Sequence, residues 1–260
     1  MRALLAMILL AAGLRPTLAS PVNDDVLRKD PVIQELTAAL KESPSLWPIL
    51  KARAQRWGQL GRPDLALVDL NEALALNPRH AEMLCLRALD HRDLGNWAAA
   101  IKDLDECIRV NPNFGIAYRG RGEAQLKLGN FNAAILDFNE AIRQNPETAA
   151  NYHQRAQAYR ELGKYPEALQ DCSAAIERSP GEAIFYYNRA SLYNILRDYP
   201  AALKDCNEVL ATTPDAAGAL FIRGLSLIQL GKKNEGCLDL SKAGELGEMK
   251  AFEKIMQLCN

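Results

Sequence analysis

The stretch that decides the fold is residues 115–148, GIAYRGRGEAQLKLGNFNAAILDFNEAIRQNPET. It carries a Gly at its fifteenth position (Gly129) and a Pro at its thirty-second (Pro146). Between these, and ahead of Gly129, apolar and small residues recur at helical spacing. Gly129 follows fourteen periodic residues, as a helix C′ residue with positive φ would. A second amphipathic run of about a dozen residues then ends at Asn145-Pro146, because the residue before proline avoids the α region. The stretch therefore reads as a helical hairpin.

Moving outward, Pro44, Pro78, Pro112, Pro146, Pro180 and Pro214 are each 34 residues apart. A fixed period of this length marks a repeat architecture. With the proline at position 32, six units follow: 47–80, 81–114, 115–148, 149–182, 183–216 and 217–250. Position 15 is Gly61, Gly95, Gly129, Gly163, Arg197 and Gly231. Position 20 is Ala66, Ala100, Ala134, Ala168, Ala202 and Gly236. Small residues also hold positions 8 and 27, with apolar ones at 4 and 24. One such hairpin cannot bury its own faces; stacking hairpins buries a continuous core.

The register resembles the tetratricopeptide repeat. Tyr118-Arg-Gly-Arg-Gly-Glu-Ala ahead of Leu128-Gly129-Asn-Phe131, then Ala134-Ile-Leu-Asp-Phe138 and Pro146, carry the likeness. It implies an all-α fold, an α-α superhelix (solenoid) of six hairpins with a concave groove. Three departures stand out. Position 4 never holds the family's Trp. Arg197 replaces glycine, at a cost of about 1 kcal/mol if φ is positive there. Glu248 replaces the last proline, so the chain is expected to leave repeat 6 differently. Residues 31–42 read as a lone helix capping repeat 1 within a lead-in of 20–46, and 251–260 as a C-terminal capping helix.

Residues 1–19 form a separate element. A basic start, an apolar run from Ala3 to Leu14 and Thr17-Leu18-Ala19 match a secretory signal peptide cut after Ala19. The expected location is periplasmic or secreted, with an uncleaved signal anchor as the alternative. No membrane span is expected after cleavage, because the run is shorter than the roughly 20 residues a span needs.

Two columns are charged and invariant among the six units. Position 7 is Arg53, Arg87, Arg121, Arg155, Arg189 and Arg223; position 23 is Asp69, Asp103, Asp137, Asp171, Asp205 and Asp239. An arginine ladder gripping an acidic ligand is one reading. Matched opposite charges in every unit favour the other, a structural Arg–Asp pair that sets the stacking register. The chain holds 31 Lys and Arg against 32 Asp and Glu, for a formal net charge of −1. Nucleic-acid binding, which needs a basic face, is not expected.

Six cysteines invite disulfides in an exported chain. Cys172 and Cys206 share one position in adjacent repeats, too far apart to bond. Cys107 sits in a small-residue column. Cys85 lies on the groove side with no obvious partner. Cys237 opens the second helix of repeat 6 and Cys259 ends the capping helix; antiparallel packing brings them together, so a Cys237–Cys259 bridge is expected.

Family grooves are lined by first-helix positions 2, 5, 6, 9, 12 and 13. The resemblance thus assigns Arg119, His153, Gln154, Arg160, Ile184, Tyr187, Asn188, Asn194 and Phe221 to a partner-binding groove. The co-chaperone clamp for a C-terminal carboxylate is incomplete. Lys51 fits its first slot, but Gln55, Leu86, Ile116 and Gly120 occupy the others. No nucleotide-loop, hydrolase or zinc signature occurs, so no cofactor, metal or catalytic residue is expected. The expected function is an exported scaffold holding an extended segment of a partner protein or peptide. A cell-wall or carbohydrate-associated binding factor is the alternative, and an enzyme the least favoured reading.

Overall fold

The computed structural model describes residues 30–259. Among them the chain is all-α, with fourteen helices and no strand. The helices fall into two compact units that divide between Asn111 and Pro112.

The first unit holds α1 (Pro31–Glu42), α2 (Trp47–Gln59), α3 (Pro63–Leu76), α4 (Ala81–Asp93) and α5 (Trp97–Val110). Helix α1 stands alone against α2; α2–α3 and α4–α5 are hairpins. Asp30 starts α1, accepting from the Ile33 amide at 3.0 Å and from the Arg56 guanidinium. That guanidinium holds the Asp30 carboxyl below its ordinary pKa.

The second unit holds α6 (Gly115–Lys127), α7 (Phe131–Gln144), α8 (Ala149–Glu161), α9 (Tyr165–Arg178), α10 (Ala183–Ile195), α11 (Tyr199–Thr212), α12 (Ala217–Gln229), α13 (Lys233–Glu245) and α14 (Met249–Leu258). Each helix packs on the next, and the first helices of successive hairpins also touch, α6 on α8 and α10 on α12. This is the hairpin stacking of an α-α solenoid.

The two punctuating columns act through the backbone. Gly61, Gly95, Gly129, Gly163 and Gly231 have φ between 69° and 84°, and Arg197 takes the same turn at φ 63°. Ser43, Asn77, Asn111, Asn145, Ser179 and Thr213, each ahead of a proline, end their helices with ψ of 75° to 91°. Proline Cδ keeps them out of the helical region.

Small residues set helix separation. The position-20 alanines are fully or almost fully buried. A Cβ on Gly122 would lie 2.8 Å from the Phe138 ring. In the last hairpin, a Cβ on Gly224 would lie 2.8 Å from the Gly236 carbonyl oxygen, and one on Gly236 would lie 2.5 Å from that of Gly224. The two backbones meet where other repeats place Ala against Ala or Gly.

The last helix departs from the expected boundary. Helix α13 stops at Glu245, Gly247 turns with φ 99°, and α14 begins at Met249, two residues before Ala251. Without a proline to hold the chain extended, the turn closes earlier, and Glu248 caps α14 through the Lys250 amide. Cys237 and Cys259 are disulfide-bonded with Cα atoms 5.8 Å apart, tying α13 to the end of α14. Met249, Phe252 and Met256 leave an exposed apolar stripe on α14. The 1–19 leader reading lies outside the described residues.

Candidate functional site

The charged columns meet inside each hairpin. Arg53–Asp69, Arg87–Asp103, Arg121–Asp137, Arg155–Asp171, Arg189–Asp205 and Arg223–Asp239 are two-point guanidinium–carboxylate pairs, with distances of 2.6–3.2 Å. The aspartates at 69, 103, 137, 171 and 205 are buried. A third bond reaches back to the preceding second helix: Arg53 to Thr37, Arg87 to Asn71, Arg155 to Asn139, Arg189 to Ser173 and Arg223 to Asn207. Tyr118, Tyr152 and Tyr186 lie under Arg121, Arg155 and Arg189 at 5.6–5.8 Å. Each of these five arginines thus ties its own second helix to the one before it.

The first helices of the second unit carry the expected groove residues. Ile116 on α6 and Ile184 and Ile195 on α10 are 54%, 48% and 46% exposed. Arg119 is half-buried beside a hollow of about 350 Å³ that Phe114, Ile116, Gln144, Thr148 and Asn151 also line. Gln144 Oε1, Asn151 Oδ1 and Gln154 Oε1 are buried and accept no hydrogen bond. All three lie on α7 and α8. Arg160 pairs with its neighbour Glu161 at 3.0 Å. Asn194 is half-buried near the end of α10.

His153 and Asn188 are committed inward. Asn188 is 9% exposed, with Nδ2 3.5 Å from His153 Nδ1. His153 Nε2 lies 2.9 Å from Gln157 Nε2, and its ring packs on Phe185 at 5.0 Å. Burial, aided by the charge of Arg160, lowers the His153 pKa. Tyr187 and Phe221 are also partly structural. Both pack on the cluster of Ala190, Ala202, Cys206 and Ile222 and on that of Val209, Leu210, Ala219 and Leu220. The Tyr187 ring covers Gly218, where an added Cβ would meet it at 2.9 Å. Ile222 is buried between helices. On these first helices Ile116, Ile184 and Ile195 are exposed, and Arg119, Gln154 and Asn194 are half-buried.

Two buried polar residues escape a column reading that follows only the conserved-looking positions. Asp90 stands at position 10, where Ala124, Ala158, Leu192 and Ser226 are buried. Burial and the charge of Asp93 push its pKa up to about 7. Asn151 stands at position 3, where Met83, Ala117, Phe185 and Ala219 are buried. For Asn151 the signal is one polar residue in an apolar column; position 10 also holds Arg56 and Ser226, so Asp90 carries no such signal. Cys85 departs from its expectation outright: its sulfur lies 2.7 Å from that of Cys107. The first unit also holds an open cleft of about 870 Å³ over α3–α5, lined by Asn71, Arg87, Lys102, Glu106 and Arg109.

No group of three His, Cys, Asp or Glu side chains suited to a metal occurs among the described residues. No described helix is long and apolar enough to cross a membrane. These first helices present exposed isoleucines, the Arg119 guanidinium and buried amide acceptors.

Comparison with known proteins gives the same architecture. No curated protein matches the sequence. Among solved structures, a tetratricopeptide repeat protein from Parabacteroides merdae is 23% identical with a TM-score of 0.64, covering 91% of this chain and 95% of its own. PilF of Pseudomonas aeruginosa superposes with a TM-score of 0.72 at 13% identity, covering 81% and 97%. YrrB, described as a tetratricopeptide protein with an unusual peptide-binding site, has a TM-score of 0.61 at 20% identity, covering 71% and 95%. These likenesses concern the fold. The family model of the tetratricopeptide repeat matches residues 85–149 and 153–217, half of the sequence. With its period, paired helices and family match in agreement, the chain belongs to the tetratricopeptide repeat family.

Proposed function

We propose that this protein is an exported scaffold that holds an extended segment of a partner protein along the first helices of its second unit. The family is a non-catalytic protein-interaction repeat, which sets the class of partner. The observation that carries the reading is a set of open apolar side chains on the first helices of the second unit. Ile116, Ile184 and Ile195 are exposed. An extended peptide supplies the complement, alternate side chains that pack on the isoleucines. YrrB, which shares the fold, is a peptide binder by its description. Export is supported by the leader-like residues 1–19 and by the Cys237–Cys259 bridge, since disulfides persist in oxidising compartments.

The test is affinity capture from an envelope fraction with the wild-type chain and with Ile184→Asp/Ile195→Asp. Both positions are exposed, so the variant keeps its melting temperature. A protein retained by the wild type and lost by the variant supports the groove. Equal retention by both places binding elsewhere. Recovery of wall polysaccharide alone favours the carbohydrate reading. N-terminal sequencing of the exported chain tests cleavage after Ala19.

A further inference from the structure

Cys85 lies on α4 and Cys107 on α5, the two legs of one hairpin. Their sulfurs are 2.7 Å apart. Carbon atoms in contact sit about 3.5–4.0 Å apart, and sulfur is larger. A disulfide bond is about 2.05 Å. The pair is therefore inside non-bonded contact and about 0.7 Å from bonding distance, a gap that small side-chain rotations close. Cys107 is fully buried and Cys85 nearly so. The Cys107 thiol also donates to the Ala81 carbonyl at 3.2 Å. No third ligand is present for a metal among the described residues.

The other cysteines set the contrast. Cys237 and Cys259 are bonded across a separation of 22 residues, the same separation as Cys85 and Cys107. Cys172 and Cys206 are buried and unbonded, with pKa values pushed up to about 12 by burial. Thiols held protonated in this way are inert.

We propose that Cys85 and Cys107 form a second disulfide, so that each unit carries one bridge. It closes the α4–α5 hairpin at its open end, opposite the turn at Gly95. The bond forms while the hairpin is assembling and both thiols are still accessible. One cysteine thiolate attacks a sulfur of a disulfide oxidant, either a low-molecular-weight disulfide or a dithiol oxidoreductase in its disulfide form. This gives a mixed disulfide and releases one thiolate. The second cysteine then attacks the protein-side sulfur and expels the other thiolate. The pair loses two electrons and two protons, and the oxidant leaves as two thiols. The inference draws on the export reading only for its natural oxidant; the geometry is independent of it.

The experiment is refolding of the reduced full chain in a buffer of oxidised and reduced glutathione. Remaining thiols are alkylated under denaturing conditions, and the unreduced digest is read by mass spectrometry. The expected result is two linked peptide pairs, Cys85 with Cys107 and Cys237 with Cys259, with alkyl groups on Cys172 and Cys206 alone. Alkylation of Cys85 and Cys107 in molecules whose Cys237–Cys259 bridge has formed overturns the proposal, because the oxidant has then worked. The same digest on protein from its native compartment judges export separately. If both pairs are reduced there but bonded after refolding in glutathione, the export reading fails and the bridge stands. Thermal melting gives a second readout. Cys85→Ala/Cys107→Ala is expected to melt about 5–10 °C below wild type when oxidised, and this gap closes in dithiothreitol. A gap that is the same in both conditions is a packing loss and overturns the bridge.

Discussion

At the scale of single residues, the Arg–Asp pairs and Asp90 show opposite uses of a buried carboxylate. Asp171 is nearly fully buried, and Arg155 satisfies it through two bonds while a third reaches Asn139. Arg155→Met strands that carboxylate and should lower stability by about 3 kcal/mol, measured by urea melts. Adding Asp171→Leu should restore most of the loss, since no unpaired charge remains. If Arg155→Met keeps full stability but stops partner capture, the ladder is a ligand site after all. Asp90 has no such guanidinium and is held protonated by burial, its pKa up at about 7. The folded state therefore binds an extra proton between the ordinary carboxyl pKa, about 4, and 7. Stability is full below pH 4 and falls as pH rises through 7. Asp90→Asn should stabilise the protein by on the order of 2 kcal/mol at pH 8 and leave it unchanged at pH 4. A gain of equal size at both pH values would show that charge is not the cause.

At the scale of elements, the turn and packing glycines make separable contributions. Arg197 takes φ 63°, where its five counterparts are glycine. Nothing on its exposed side chain compensates, so Arg197→Gly should raise stability by about 1 kcal/mol in thermal melts. Gly236 sits against the Gly224 backbone, which cannot move aside as a side chain can. Gly236→Ala should cost about 2–3 kcal/mol by overpacking α12 on α13. A neutral result would mean that these helices separate freely. Both effects were legible as columns, because a 34-residue period converts a φ sign or a close approach into a repeated residue. The start of α14 was not. With Glu248 in place of proline, the period no longer constrains the chain, and Gly247 moves the boundary by two residues. Groove residues were legible only by position. The register places Tyr187 and Asn188 on the first helix, but not their burial against Gly218 and His153. That depends on which neighbouring side chain fills the space, and neighbours 30 residues away differ between repeats.

At the scale of the whole chain, stability in a stacked-hairpin protein is a sum of local terms, because each helix packs mainly on its neighbours. The ends of such a stack open first unless they are tied down. Helix α14 is a single helix with an exposed apolar stripe, packed mainly on α13. The Cys237–Cys259 bridge closes a loop of 22 residues around this junction. By the chain-entropy argument a loop of that length contributes about 3 kcal/mol. That contribution belongs to the last hairpin and its cap, since the loop spans only α13 and α14. Cys259→Ser should therefore speed amide hydrogen exchange in α13 and α14 by roughly 100-fold, the factor that 3 kcal/mol of local stability allows for opening to those two helices. Exchange in α6 through α9 should stay at its wild-type rate, because none of these helices touches the loop. A uniform loss of protection from α6 to α14 would show instead that the unit unfolds as one block, with the bridge acting on its global stability. Unchanged exchange in α14 would show that apolar packing of Ala251 on α13 holds the cap without the bond.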